Sequence, residues 1–206
     1  MNISNHILTQ GNISNNQLDL AIAQNYPNGI DFCYTDPPWG NGNLKFWDTV
    51  NKKMNNVEIA QIDQETLENR VVQLICTNVN NYAFIVYGVR EAESLIKKLK
   101  LQPKVVDIQY IEKKYKSGTK WLKNCVIAVT LSNSVPKEDW VTLLTNKNGR
   151  DGLRVVLDKF KGKYKSCLDA FIGQGFYLET LHEYGYHVIG NELNAARLEK
   201  AISRIK

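Results

Sequence analysis

The chain has 206 residues, of which 43% are hydrophobic and 23% charged, and its formal net charge at pH 7 is +5. A chain of this length and apolar content can bury one hydrophobic core but is short for two domains. We therefore expect a single domain over residues 1–206. No apolar run approaches the about 18 residues of a membrane span, and the Asn-rich start does not resemble a signal peptide.

The cysteines and histidines give no pattern typical of a metal site. The four cysteines are far apart in the sequence, and the three histidines do not have the spacing of metal ligands. We therefore expect reduced, buried thiols, no bound metal and a cytoplasmic location.

The first third of the chain alternates between strand and helix patterns. His6–Gly11 is strand-like, Gln17–Gln24 has apolar residues at helical spacing, and Ile30–Thr35 is an apolar run typical of a buried strand. Asp36-Pro37-Pro38-Trp39 must end that strand, because proline has no N–H to donate to a neighbouring strand. Asp36 and Trp39 are then displayed at a strand end, next to carbonyl groups that the prolines hold rigid. We interpret the Asn/Gly-rich segment after Gly40 as a mobile loop that closes over substrate.

The middle of the chain continues the alternation and then becomes basic. A helix is predicted from Gln64 to about Val79, a buried parallel strand at Tyr82–Tyr87 and an amphipathic helix at Glu91–Lys100. Two strands, 105–111 and 124–131, are joined by a lysine-rich link, which predicts a long hairpin with a basic tip. Lysines there could hold phosphates while aromatic rings stack on bases, or the hairpin could be an ordinary solvated one. The candidate nucleic-acid-binding residues are Lys113, Lys114, Tyr115, Lys116, Lys120 and Trp121.

The last part of the chain predicts a ligand site at a glycine-rich turn. An irregular segment, 141–152, leads into a helix, and residues 168–206 then follow the order strand, turn, helix, strand, helix. Gly173 and Gly175 allow a ligand to approach the backbone next to a helix N-terminus. Leu178 stands where a dinucleotide fingerprint needs a small residue, which disfavours a pyrophosphate site. Glu192 lies where an acidic residue accepts hydrogen bonds from ribose hydroxyls. The whole chain is thus predicted to be α/β with a largely parallel sheet.

Together, these motifs resemble those of amino-group methyltransferases that use S-adenosylmethionine. Asp36-Pro37-Pro38-Trp39 resembles the motif of enzymes that modify the N6 amine of adenine, and residues 169–175, DAFIGQG, resemble Asp-x-Phe-x-Gly-x-Gly. The last helix is similar to the family pattern at Asn194, Arg197, Ala201, Arg204 and Ile205. The order of the motifs resembles the circularly permuted beta group of DNA amino-methyltransferases. Gly11-Asn12 resembles that group's Gly-Asp, with Asn12 departing from it.

The resemblance implies a Rossmann-like class I methyltransferase fold, S-adenosyl-L-methionine as cofactor, and DNA rather than RNA as substrate. Asp at position 36, in place of Ser, favours adenine N6 over cytosine N4 within the family. The implied catalytic residues are Asp36, Pro37, Pro38 and Trp39. The implied cofactor-binding residues are Asn12, Asp36, Asp169, Phe171, Gly173, Gly175 and Glu192.

Several alternatives remain open at this point. Between Gly40 and Arg150 the chain holds little more than the predicted strands and helices need, so no separate target-recognition domain is expected. RNA adenine methylation requires less recognition machinery. A weakly active or non-catalytic subunit that supports a partner, and a homodimer, are also compatible with the sequence. Related enzymes with an Asn-Pro-Pro-Tyr motif methylate glutamine in proteins.

Overall fold

The computed structural model describes residues 2–3, 5–55 and 62–206. Within these residues there are eight strands and eight helices. The strands are β1 (Asn2–Ile3), β2 (His6–Gln10), β3 (Ile30–Thr35), β4 (Val79–Tyr87), β5 (Asp107–Ser117), β6 (Lys120–Thr130), β7 (Ser166–Asp169) and β8 (His187–Glu192). The helices are α1 (Gln17–Asn25), α2 (Gly40–Asn55), α3 (Gln64–Asn78), α4 (Ala92–Lys100), α5 (Trp140–Leu144), α6 (Gly149–Phe160), α7 (Phe176–Glu183) and α8 (Ala195–Ser203).

The strands form one sheet in the order β1-β2-β8-β7-β3-β4-β6-β5. The five strands from β2 to β4 are parallel, whereas β1 and the β5/β6 hairpin are antiparallel to their neighbours. One apolar cluster, between the sheet and α5 to α8, covers one face, and a second cluster beneath α1, α3 and α4 covers the other. This burial on both faces explains the continuous apolar runs of β3 and β4 and confirms the predicted largely parallel α/β class.

The parallel arrangement brings the two sequence motifs together. β3 pairs directly with β7, and β7 pairs with β8. Carboxyl ends of parallel strands lie at the same edge of a sheet, so the segment after β3 and the turn after β7 are neighbours there. Gly11-Asn12 joins them because β2 pairs in parallel with β8.

The segment after Gly40, predicted to be a loop, is helical instead. Residues 40–55 form α2, whose Leu44 packs against the core and whose Asp48 carboxylate pairs with Lys52 Nζ at 3.2 Å. That i,i+4 pair and the lysines in the last turn favour a helix. The prediction was wrong because the Asn and Gly residues of the first turn masked the helical spacing behind them.

The segment 141–152, predicted to be irregular, also contains helix. Asp139 caps α5 by accepting from the Thr142 backbone N–H, and Trp140 of that helix is buried. α6 begins at Gly149, earlier than the sequence pattern indicated.

The basic hairpin is confirmed, but its link is mostly strand. β5 and β6 remain paired up to Ser117 and Lys120, which leaves Gly118 and Thr119 as the turn. Gly118 has φ +59, a backbone conformation typical of a tight hairpin turn. The hairpin therefore extends beyond the end of β4, which pairs with β6 only as far as Cys125.

Neither a membrane-spanning helix nor a metal site emerges from the described ranges. None of their helices is long and apolar enough to cross a membrane. None of their His, Cys, Asp and Glu side chains gather in a group of three or more that could hold a metal ion. All four cysteines are free thiols.

Candidate functional site

A cavity of about 1230 Å³ lies at the carboxyl edge of the parallel strands. All four residues of the Asp-Pro-Pro-Trp motif line it. So do four of the predicted cofactor-binding residues besides Asp36, namely Asn12, Phe171, Gly173 and Glu192. The remaining two, Asp169 and Gly175, lie outside the lining and shape the turn that borders it.

Asp36 contributes a buried carboxyl group to this cavity. Its Oδ1 is inaccessible to solvent and has no hydrogen-bond partner among the residues that the structure describes. Burial, with a smaller contribution from the nearby Asp169 carboxyl, raises the pKa of Asp36 to about 8. A buried acceptor without a donor is costly, and a ligand N–H or a positive charge would offset that cost. The carboxyl group is therefore suited to a ligand that donates a hydrogen bond.

Asp169 lies beneath the glycine turn at the end of β7. Its Oδ1 accepts from Thr35 Oγ1 at 3.1 Å and from the Phe171 backbone N–H at 3.2 Å. Burial raises the pKa of Asp169 to about 7, although these hydrogen bonds oppose the shift. Two carboxyl groups with raised pKa values thus lie at the carboxyl ends of the paired strands β3 and β7, and ionising one makes it harder to ionise the other.

The turn after β7 brings backbone groups to the cavity at its glycines. Gly173 and Gly175 have φ values of +59 and +81, in the left-handed region that favours glycine. The Gly173 N–H donates to Glu192 Oε2 at 2.8 Å, and the Asn194 N–H donates to Glu192 Oε1 at 2.9 Å. The Glu192 carboxyl is therefore fixed beside the turn, and each of its oxygens retains a lone pair for a further donor.

Gly11-Asn12 is attached to the same edge by two hydrogen bonds to the Gly11 backbone. The Gly11 N–H donates to the Glu192 carbonyl at 3.1 Å, and Asn191 Nδ2 donates to the Gly11 carbonyl at 2.9 Å. Asn12 Oδ1 accepts from the Ser14 N–H at 2.9 Å in a local turn. Asn12 consequently lines the cavity close to the end of β8.

The hairpin forms one wall of the cavity, and its two faces differ. Tyr115 and Leu122 are opposite each other across the two strands, and both line the cavity. Side chains alternate along a strand, so Lys114 and Trp121 project from the other face. Lys114 and Lys120 are exposed, and Trp121 is 70% exposed.

Lys113 differs from the other candidate lysines of the hairpin. It lies on the inner face, 5% exposed, where Nζ donates to the Lys147 carbonyl at 2.5 Å. Burial lowers the pKa of Lys113 to about 8. Strand alternation turns this residue under the connection between α5 and α6, so it is not available as a surface contact for phosphates. The side chain of Lys116 lies outside the described residues.

Several residues of the cavity wall were not anticipated from the sequence. The first turns of α7 and α6 contribute Phe176, Tyr177 and Arg150, and α2 contributes Lys45. Phe46 of α2 also lines the cavity, a position that the sequence left open between lining the pocket and packing on the loop. The guanidinium carbons of Arg150 and Arg204 lie 5.1 and 4.2 Å from the centre of the Phe176 ring, and both arginines pair with Glu179. The sequence had marked Arg204, and also Arg197 of the cavity lining, as members of the last-helix pattern.

Comparison with known proteins gives structural likeness only. No protein-family model matches the sequence, and a search of curated proteins finds no match. Similar solved structures include the M1.HpyAVI complex with S-adenosylmethionine, at TM-score 0.63 and 14% identity, with 97% of this chain and 99% of that chain covered. TTHA0409 from Thermus thermophilus, a putative DNA modification methylase complexed with S-adenosylmethionine, has TM-score 0.60 and 14% identity, with 97% and 94% covered. PvuII DNA methyltransferase, specific for cytosine N4, has TM-score 0.61 and 11% identity, with 100% and 88% covered.

These likenesses show the fold of the chain. It is the Rossmann-like α/β fold of class I methyltransferases, as the sequence motifs implied. The likeness extends over nearly the whole of this chain in each case.

Proposed function

We propose that this chain transfers a methyl group from S-adenosylmethionine to the N6 amine of adenine in DNA. The observation that carries the proposal is the Asp36 carboxyl, a buried acceptor without a donor among the described residues, in one cavity with the glycine turn. At about 1230 Å³, the cavity is large enough for a nucleoside cofactor and a base together. Two of the similar structures, a putative DNA modification methylase and a DNA methyltransferase, support DNA as the substrate.

The residues around the turn fit S-adenosylmethionine. Glu192 has lone pairs for ribose hydroxyls, and the absence of a side chain at Gly173 lets the cofactor approach the backbone. A sulfonium cation near Asp36 and Asp169 would favour the ionised forms of these carboxyl groups, whose pKa values burial raises. When bound, the cofactor supplies a methyl group that its sulfonium charge has already activated.

The protein's contribution is to orient the amine and make its lone pair available. The exocyclic amine of adenine is a poor nucleophile because its lone pair is delocalised into the ring. Asp36 accepts one N–H of the amine and a carbonyl near Pro37 accepts the other, which draws the nitrogen toward tetrahedral geometry. The Trp39 ring stacks on the base and holds its plane. No covalent intermediate with the protein is needed, and a base in duplex DNA has to be flipped out of the stack.

Cytosine N4 is the second candidate target. One of the similar structures is specific for that amine, and both exocyclic amines present two N–H donors to the same acceptors. The preference for adenine rests on Asp36, by resemblance to the adenine-specific motif.

Product analysis tests the proposal. The chain is incubated with methyl-labelled S-adenosylmethionine and duplex DNA, single-stranded DNA or RNA, and each polymer is digested to nucleosides. We expect N6-methyladenine from DNA. Label in N4-methylcytosine would change the assigned base, and label confined to RNA would change the polymer. Cofactor binding without transfer to any polymer would favour a non-catalytic subunit.

Two exposed lysines of the hairpin, Lys114 and Lys120, give a separate prediction for DNA binding. Replacing Lys114 and Lys120 with glutamine should weaken DNA binding and make the slope of log K against log salt less negative by about 1.8, for two lost phosphate contacts. The matched control replaces two exposed lysines of α4, Lys97 and Lys100, and should leave the slope unchanged. If the slope is the same in both variants, the hairpin lysines do not contact DNA phosphates.

A further inference from the structure

Gly88 follows β4 and lies directly against the indole ring of Trp39. A Cβ atom built on Gly88 would lie 2.8 Å from Cγ of Trp39 and closer still to its Cδ1, which is far inside contact distance. Gly88 is not one of the glycines with positive φ, so its backbone conformation is open to other residues. The lack of a side chain at position 88 is therefore required by the ring and not by the backbone.

Other groups hold the same ring from the sides. The Tyr87 ring centre lies 6.3 Å from that of Trp39, and the Tyr87 hydroxyl donates to the buried Glu68 carboxylate at 3.0 Å. Glu68 is itself held by Ser94 at 2.7 Å and Lys98 at 3.0 Å. The wall behind Trp39 is therefore rigid, and the indole has little room to adjust toward it.

The Glu91 carboxylate lies close to both Gly88 and Gly40. Its Oε2 lies inside contact distance of a Cβ built on Gly88, and its Oε1 lies 2.6 Å from a Cβ built on Gly40, the residue after Trp39. The Glu91 side chain is flexible and could move away from a methyl group at position 88. The indole ring is the obstacle, because Trp39 follows two prolines that fix the backbone.

We propose that Gly88 is the positioning residue of Trp39: a bare backbone at position 88 sets where the indole ring stands in the cavity wall, and hence where a target base can stack. The statement about the base rests on the proposed function. The statement about the ring rests on the geometry alone and is tested separately.

The ring position is tested by fluorine NMR on the full chain labelled with 5-fluorotryptophan. The chain has four tryptophans, and the variant Trp39→Phe identifies the Trp39 resonance. In Gly88→Ala we expect that resonance to shift, while the resonance of Trp140, buried in the cluster on the opposite face, stays in place. An unmoved Trp39 resonance overturns the proposal, whether or not the chain is a methyltransferase.

Glu91 provides the control for an indirect effect. Gly88→Ala in a Glu91→Ala background should still shift the Trp39 resonance, because the clash with Cδ1 and Cγ remains. If removal of Glu91 abolishes the shift, the carboxylate and not the ring is the group that requires glycine, and the proposal fails.

Kinetics test the consequence for the base. We expect Gly88→Ala to reduce kcat for DNA methylation about tenfold or more, since small misplacements of a reacting group have effects of this size, with S-adenosylmethionine affinity within about threefold of the parent. In a Trp39→Ala background the same substitution should have no further effect on kcat. Equal losses in both backgrounds would show that Gly88 does not act through Trp39.

A folding defect would be informative as well. If Gly88→Ala alone does not fold, the double variant Gly88→Ala/Trp39→Ala should fold, because the obstructing ring is gone. Failure of the double variant to fold would overturn the proposal.

Discussion

Asp36→Ala is expected to reduce methyl transfer by about 10²- to 10³-fold, the loss typical of removing a group that stabilises developing charge in a transition state. Asp36 Oδ1 is the buried acceptor that the amine would meet, and Ala offers neither acceptor nor charge. The affinity for S-adenosylmethionine should change much less, since Glu192 and the glycine turn do not depend on this side chain. The measurements are single-turnover transfer and calorimetric titration with the cofactor. Equal losses of transfer and affinity would mean that Asp36 acts on the cofactor and not on the amine.

The raised pKa of Asp36 also predicts how the rate of methyl transfer depends on pH. The ionised carboxyl accepts at both oxygens, whereas the protonated form has a donor O–H at one of them. Burial and the Asp169 carboxyl raise the pKa of Asp36 to about 8. The pH dependence of kcat/KM reports ionisations of the free enzyme, so kcat/KM for methyl transfer should rise between about pH 6 and pH 8. The isosteric variant Asp36→Asn should have a flat, low profile. A parent profile that is flat over this range would contradict the assignment.

Stability should depend on pH in the opposite sense. A carboxyl whose pKa is higher in the folded than in the unfolded chain binds more protons when folded, so the free energy of unfolding falls as pH rises from about 4 to about 8. The melting temperature of the cofactor-free parent should fall over this window, and Asp36→Asn should reduce that fall. Asp169 contributes in the same sense, so the dependence should not vanish.

The sequence was a good guide to those parts of the site that follow from strand ends. The apolar run of Ile30–Thr35 and the prolines after it located Asp36 at the carboxyl edge, and parallel pairing brought this edge to the turn at Gly173. Periodicity also identified α3 and α4 to within a few residues. These features depend on local rules, namely strand periodicity, proline's missing donor and glycine's conformational freedom.

Features that depend on tertiary packing were not predictable. α2 begins in an Asn/Gly-rich turn whose helical state depends on Leu44 packing on the core. Lys113 lies in a run of lysines, yet strand register turns it inward to the Lys147 carbonyl. The clash that excludes a side chain at Gly88 involves Trp39, which follows a different strand, and no local pattern marks it.

The glycine turn gives the second large effect, because it touches α8 directly. A Cβ atom built on Gly175 would lie 2.6 Å from Cα and 2.7 Å from Cβ of Ala201. Gly175 also has φ +81, so Gly175→Ala combines backbone strain with overpacking against a helix backbone. We expect a loss of about 2–5 kcal/mol in the free energy of unfolding. Cofactor affinity should fall at least about tenfold, because the same turn carries the Gly173 N–H that holds Glu192.

Gly185 separates the two causes. It has φ +77, close to that of Gly175, but a Cβ atom there would have no heavy atom within 4 Å. Gly185→Ala should therefore cost only the backbone strain, about 1–2 kcal/mol, and leave cofactor affinity unchanged. Urea unfolding of the two variants measures the difference, which reports the contact between the turn and Ala201. If both substitutions cost the same, backbone conformation alone explains Gly175, and the close approach of the turn to α8 contributes nothing to stability.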